Sequence, residues 1–197
     1  MQRNTQPSAR PHVFHFDVPV NAATTNALQN VMLEAIQLGQ PSSLTLLINS
    51  TGGNLTAGFG LFNFLRSLPM PVTTHNFGTV ESIAVIVYLA GEERKIVPTG
   101  RFLLHGLNWG FDSGSIDHAR ISEFAASLDS HSATYQQIFN ERTQSADAPV
   151  DILECLSGKA RIVDASSSVK AGIATAIAPP EAAVPADSVH WWISFQK

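Results

Sequence analysis

THNFGTVESIAVIVYL, residues Thr74–Leu89, sets a glycine (Gly78), a small nucleophile (Ser82) and an unbroken apolar run (Ile83–Leu89) in one line. The apolar run reads as a buried helix, and Val72–Asn76 ahead of it as a strand. Ser82 stands at the mouth of that helix. A serine there is either an N-cap, its hydroxyl accepting from a backbone N–H, or a nucleophile. In the second case the helix N-terminus and the Ile83 N–H stabilise the negative charge of an oxyanion. The stretch alone does not separate the two.

Working outward, Leu44–Ile48 (LTLLI) is a short continuous apolar run that suits a central parallel strand. The Gly52-Gly53 pair follows it, either an ordinary strand-to-helix turn or a place where backbone approaches a ligand closely. Asn54–Leu68 has helical spacing and is broken by Pro69-Met70-Pro71. Before these, His12–Val18 alternates as a strand does, and Thr25–Leu38 as a helix. After the apolar run, Arg94–Val97 and Phe102–His105 read as short strands. Strand–helix alternation at this spacing predicts right-handed βαβ crossovers and an α/β fold. His105 closes an apolar strand beside Gly106, as a general base or as a core histidine. Asn108–Ser115 is a glycine-rich loop, and Ile116–Arg142 is the longest helical pattern, carrying Phe124, Leu128, Tyr135 and Phe139. Val150–Leu156 and Asp164–Ala171 read as short helices, with Arg161–Val163 and Ile173–Ala178 extended. The chain divides into a flexible leader (1–11), one domain (12–178) and a C-terminal extension (179–197) containing SVHWWISF.

The 197 residues are 44% hydrophobic and 14% charged, with a net charge of −4, so a globular domain is expected, with some apolar surface covered by other subunits. No basic tract points to nucleic acid. The longest apolar run is too short for a bilayer. One cysteine, Cys155, excludes an intrachain disulfide, fits a reducing cytoplasm and reads as a small buried hydrophobe. There is neither GxGxxG nor a Walker lysine, and His12, His15, His75, His118, His131 and His190 lack metal-ligand spacing, so neither cofactor nor metal is expected.

Two stretches carry a family resemblance. INSTGGNLTAGFGLFNFLRSL (48–68) resembles the INSPGG-x-x-x-AG region of the Clp protease proteolytic subunit. NFGTVESIAVIVYLAGEERKIVPTGRFLLHG (76–106) resembles that family's G-x-A-A-S-M…A-G…P…M-I-H-Q region. Ile116–Arg142 falls where the family has its handle helix. The resemblance implies a ClpP/crotonase-like α/β spiral of βαβ units with a protruding handle helix. It implies a serine endopeptidase acting on peptides or unfolded protein, assembled as a homo-oligomeric ring and served by an AAA+ unfoldase. By position, Ser82 matches the nucleophile, His105 the general base, and Gly53 and Ile83 the two oxyanion N–H donors.

Departures from the pattern bear on turnover. Thr51 replaces a proline, Glu81 an alanine directly before the nucleophile, and Gly106-Leu107 a Gln-Pro pair. The triad aspartate position falls on Leu156, with Asp151, Glu154 and Asp164 nearby as possible substitute acids. The leader lacks the hydrophobic start motif that contacts the unfoldase. Two readings therefore stand: an active Ser-His peptidase, or a weak or inactive scaffold subunit of the same fold. Acyl-CoA chemistry, which crotonases perform on the same fold, is a third.

Overall fold

The computed structural model describes residues 9–108, 110 and 117–193. In chain order the elements are β1 (Pro11–Phe16), α1 (Ala22–Gly39), β2 (Ser43–Ser50), α2 (Leu55–Ser67), β3 (Val72–Glu81) and α3 (Ile83–Leu89). They continue with β4 (Glu93–Ile96), β5 (Arg101–Leu104), α4 (His118–Arg142), α5 (Ile152–Leu156), β6 (Arg161–Asp164), α6 (Ala165–Lys170), β7 (Ala176–Ile177) and β8 (Val189–Trp192). The described strands form one eight-stranded sheet, ordered β6-β5-β3-β2-β1-β8, with β4 and β7 branching from β3. All pairings are parallel except β5 with β6.

The fold turns on β3. It was expected to end at Asn76 but runs on to Glu81. Its first half pairs with β4 at Thr73–Asn76 and its second with β5 at Thr79–Glu81. The pairing with β2 shifts register between Ile48 and Ser50 at this bend. Asn49 secures it, its side-chain oxygen accepting from the Thr79 N–H at 3.0 Å. The result is a strand that changes neighbour from β4 to β5 within the one sheet, carrying Ser82 to the point beyond that junction.

Behind the junction lies α3, every residue of it buried, packed with Leu44, Leu46, Ile48, Val80 and Phe102. A seven-residue helix has little stability of its own, so burial holds it in place. Gly58 of α2 is a close-packing point: a Cβ there would collide with the Ile83 side chain. The buried Arg94 fastens the later elements to this core, its guanidinium donating to the carbonyls of Ile173, Gly172, Arg142 and Gly91. α4 buries Tyr135 and Phe139 near its C-terminal end, whereas its first two turns are exposed, with Ile121 52% accessible. Ile116, at the head of the expected helix, lies outside the described residues, as does most of the loop 108–115.

Candidate active site

Ser82 takes the N-cap position of α3, yet its side chain makes no capping hydrogen bond. Its backbone is at φ 53°, ψ −132°, a region that non-glycine residues rarely occupy. The only other described non-glycine residue at positive φ is Gln40, at the end of α1. Strain of this kind persists where the surroundings impose it. Here the Ser82 N–H donates to the Leu103 carbonyl of β5 at 3.0 Å. The Ser82 carbonyl accepts from the Val85 N–H at 3.0 Å and from the Tyr135 hydroxyl of α4 at 3.1 Å. A sharp strand-to-helix turn with an uncommitted hydroxyl at its tip is the shape of a nucleophile elbow.

The Gly-Gly turn lies against this elbow. A Cβ on Gly52 would stand 2.7 Å from Ser82 Cβ, 2.8 Å from the Glu81 carbonyl oxygen and 3.3 Å from the Ile83 nitrogen. Gly52 and Gly53 sit at φ 84° and 144°, and a Cβ on Gly53 would strike the Val20 carbonyl, so this turn needs both glycines. Val20 bridges to the turn through the Gly52 carbonyl and the Asn54 N–H, each at 2.8 Å. That pattern leaves the Gly53 N–H without an acceptor among the described residues. Among the described residues the Ile83 N–H, in the first turn of α3, also has no acceptor.

His105 follows the last residue of β5 and is half-buried. Its Nδ1 lies 2.8 Å from the Gly106 carbonyl oxygen. A carbonyl only accepts, so Nδ1 donates in this contact, and in the neutral imidazole Nε2 is then the acceptor. That is the tautomer a general base needs. Among the described residues no carboxylate bonds this ring, and Ser82 Oγ is not hydrogen-bonded to it. The Ser82 N–H bond to Leu103 nevertheless ties the serine to β5 two residues before the histidine.

The glycine turn lies against the strained serine, and His105 follows the strand whose Leu103 carbonyl holds the Ser82 N–H. The sequence pattern of the family described as Clp protease matches residues 10–181. The chain belongs to the Clp protease family. Within it, this member is 36% identical over 89 residues to the ATP-dependent Clp protease proteolytic subunit 2 of Borreliella burgdorferi, a match covering 44% of each chain. It is 34% identical over 79 residues to the subunit of the same name from Treponema denticola, covering 39% of this chain and 38% of that one. The chain therefore matches less than half the length of these relatives. The fold of a ClpP1 point mutant from Listeria monocytogenes superposes with a TM-score of 0.72 at 17% identity, over 87% of this chain and 94% of that one.

The acids near Leu156 in this Clp-family chain are engaged elsewhere. Asp151 caps α5, accepting from the Glu154 N–H at 3.2 Å, and Glu154 pairs with Lys159 at 2.7 Å. Asp164 caps α6, accepting from the Ser167 N–H at 2.7 Å, and this bond holds its carboxyl below the usual range. Leu156 itself lies beside the histidine's neighbour: a Cβ on Gly106 would stand 3.0 Å from the Leu156 carbonyl oxygen. Asp151→Ala is expected to cost about 1 kcal/mol of stability, the usual value of a cap, and Asp164→Ala to destabilise as well. Neither is expected to alter the reactivity of Ser82 measured in the folded protein.

Glu81 is half-buried, and its side chain makes no ion pair or hydrogen bond among the described residues. Its register pairing with Leu103 turns it to the sheet face that Leu103 occupies. A cavity of about 300 Å³ opens beside the glycine turn, lined by Gly53, Asn54, Leu55, Thr56, Asn108, Gly110 and His131. His131 comes from α4 and touches the Phe59 ring, and its buried Nδ1 has no partner. Sequence reading marked neither His131 nor the Tyr135 hydroxyl as part of this region. Helical periodicity tells which face a residue takes, not what its polar tip meets. Among the described residues no cluster of His, Cys, Asp or Glu could hold a metal ion, and no helix is long and apolar enough to cross a membrane.

Proposed function

We propose that this chain is a Clp-type serine peptidase with a Ser-His centre, working in an oligomeric ring on peptides or unfolded protein. The observation that carries the reading is the strained, uncapped Ser82 at the strand-to-helix turn. In this reading Ser82 Oγ attacks the peptide carbonyl while His105 Nε2 takes the hydroxyl proton. The Gly53 and Ile83 N–H groups receive the oxyanion. The C–N bond then breaks, and the leaving amine takes the proton from His105. Water, deprotonated by His105, hydrolyses the acyl-enzyme and restores both groups. The cavity beside Gly53 receives the substrate side chain.

Turnover is slow in this reading, because a backbone carbonyl stands where an orienting carboxylate would balance the imidazolium charge. The ring is supported by the exposed start of α4, where Ile121 presents apolar surface for another subunit. The test is covalent: a fluorophosphonate probe should label Ser82 in the folded protein and leave Ser82→Ala unlabelled. A folded wild type that resists the probe across pH 6–9 would overturn the reading.

A further inference from the structure

We propose that Tyr135 is a positioning residue whose hydroxyl, by holding the Ser82 carbonyl, aims the Ile83 N–H at the oxyanion. The inference rests on the reading of Ser82 as a nucleophile. Tyr135 lies on α4, 1% exposed, and its phenol donates to Ser82 O at 3.1 Å. Burial pushes its hydroxyl far above the ordinary range, so it stays protonated and remains a donor throughout the working pH. The Ser82 carbonyl and the Ile83 N–H belong to one planar trans peptide group, in which C=O and N–H point in opposite directions. A donor that pulls the oxygen toward the interior therefore turns the N–H outward. Polarisation through the same peptide makes that N–H a stronger donor.

This peptide needs an external hold. Ser82 is at φ 53°, a conformation its own side chain disfavours, and its hydroxyl gives no capping bond to the helix. The Val85 N–H also reaches the carbonyl, but that bond lies within the first turn of α3 and belongs to the same small unit. Tyr135 is the contact from a different element. Its ring is fixed by stacking on Phe139, with centroids 6.5 Å apart. α4 thus becomes part of the oxyanion hole at second hand.

Misaiming one donor should slow the step that develops the oxyanion while leaving ground-state binding alone. The test is the reaction of wild type and Tyr135→Phe with a fluorophosphonate, resolved into binding and inactivation steps. Phe keeps the ring and removes only the hydroxyl. Tyr135→Phe is expected to lower the inactivation rate constant about tenfold, a fraction of the loss on deleting a donor, with the binding constant within about twofold. Thr143→Val is the control: it removes a buried side-chain hydrogen bond at the end of the same helix without touching Tyr135 or Ser82, and should leave the inactivation step of the folded protein unchanged. If Tyr135→Phe does not fold, 3-fluorotyrosine at position 135 keeps the hydroxyl and alters its donor strength, which should move the inactivation step alone. Equal inactivation constants in wild type and the hydroxyl variant would overturn the inference with Ser82 still a nucleophile. A wild type that never labels would overturn the nucleophile reading and this inference with it.

Discussion

His105→Gln is expected to slow acylation of Ser82 by about a thousandfold, the middle of the range for removing a positioned general base. The structure favours a loss of that size rather than the larger one of an intact triad. His105 already has the required tautomer, because its Nδ1–H is donated to the Gly106 carbonyl at 2.8 Å. Among the described residues no carboxylate bonds the ring. A carbonyl dipole orients imidazole, but it stabilises imidazolium less than a carboxylate does. Loss of the orienting acid alone costs about 10⁴ in a complete triad, so part of the histidine's usual advantage is already missing here. Fluorophosphonate labelling against pH measures the effect, with intact protein mass as the readout. Wild-type labelling in His105→Gln would mean that another group activates Ser82. Glu81, half-buried, next to the serine in sequence and with a carboxylate that has no partner among the described residues, would then be the residue to replace.

The ordering of strands and helices was legible because each apolar run has a distinct length and a clear stop. LTLLI is followed by glycines, and the helix from Asn54 is closed by two prolines. The course of β3 was not legible. Phe77-Gly78 reads as a strand end, whereas it marks a bend that hands the strand from β4 to β5. Pairing across a bend depends on residues far away in sequence, here the side chain of Asn49. The place of Ser82 could be read, but the choice between cap and nucleophile could not, because both use one position and differ only in dihedral angle and hydroxyl partner. The partner of His105 was hidden for a different reason. A search for an acid considers side chains, and the group found beside Nδ1 is backbone. The tail shows the same limit. SVHWWISF reads as an extended aromatic segment, and its described part is β8, which pairs in parallel with β1 and hydrogen-bonds His190 Nδ1 to His15 Nε2 at 2.9 Å. Sequence could not say which strand it would join.

Acid should destabilise this fold between about pH 6.5 and pH 4, and His75 should account for most of the loss. His75 sits on β3, fully buried, with neither ring nitrogen hydrogen-bonded. Desolvation holds its pKa down to about 4; the Lys95 charge acts in the same direction and the nearby Ala178 backbone offsets part of the effect. The unfolded chain protonates this imidazole near its ordinary value of 6.5. Between those two values the unfolded state binds more protons than the folded one, so stability falls as pH falls. It is complete above pH 6.5 and levels off below pH 4. A gap of about 2.5 units corresponds to about 3 kcal/mol, a large share of a typical domain's stability. His12 and His15 add smaller losses of the same sign, since burial lowers both, with Arg10 acting on the first and His190 on the second. Urea midpoints at pH 7.5, 6, 5 and 4.5 give the wild-type profile. His75→Leu, which puts an apolar side chain beside Leu47, its register partner on β2, should flatten that profile and be the more stable protein at pH 4.5. A His75→Leu profile as steep as wild type would place the proton uptake elsewhere, with the His15–His190 pair as the next site to substitute.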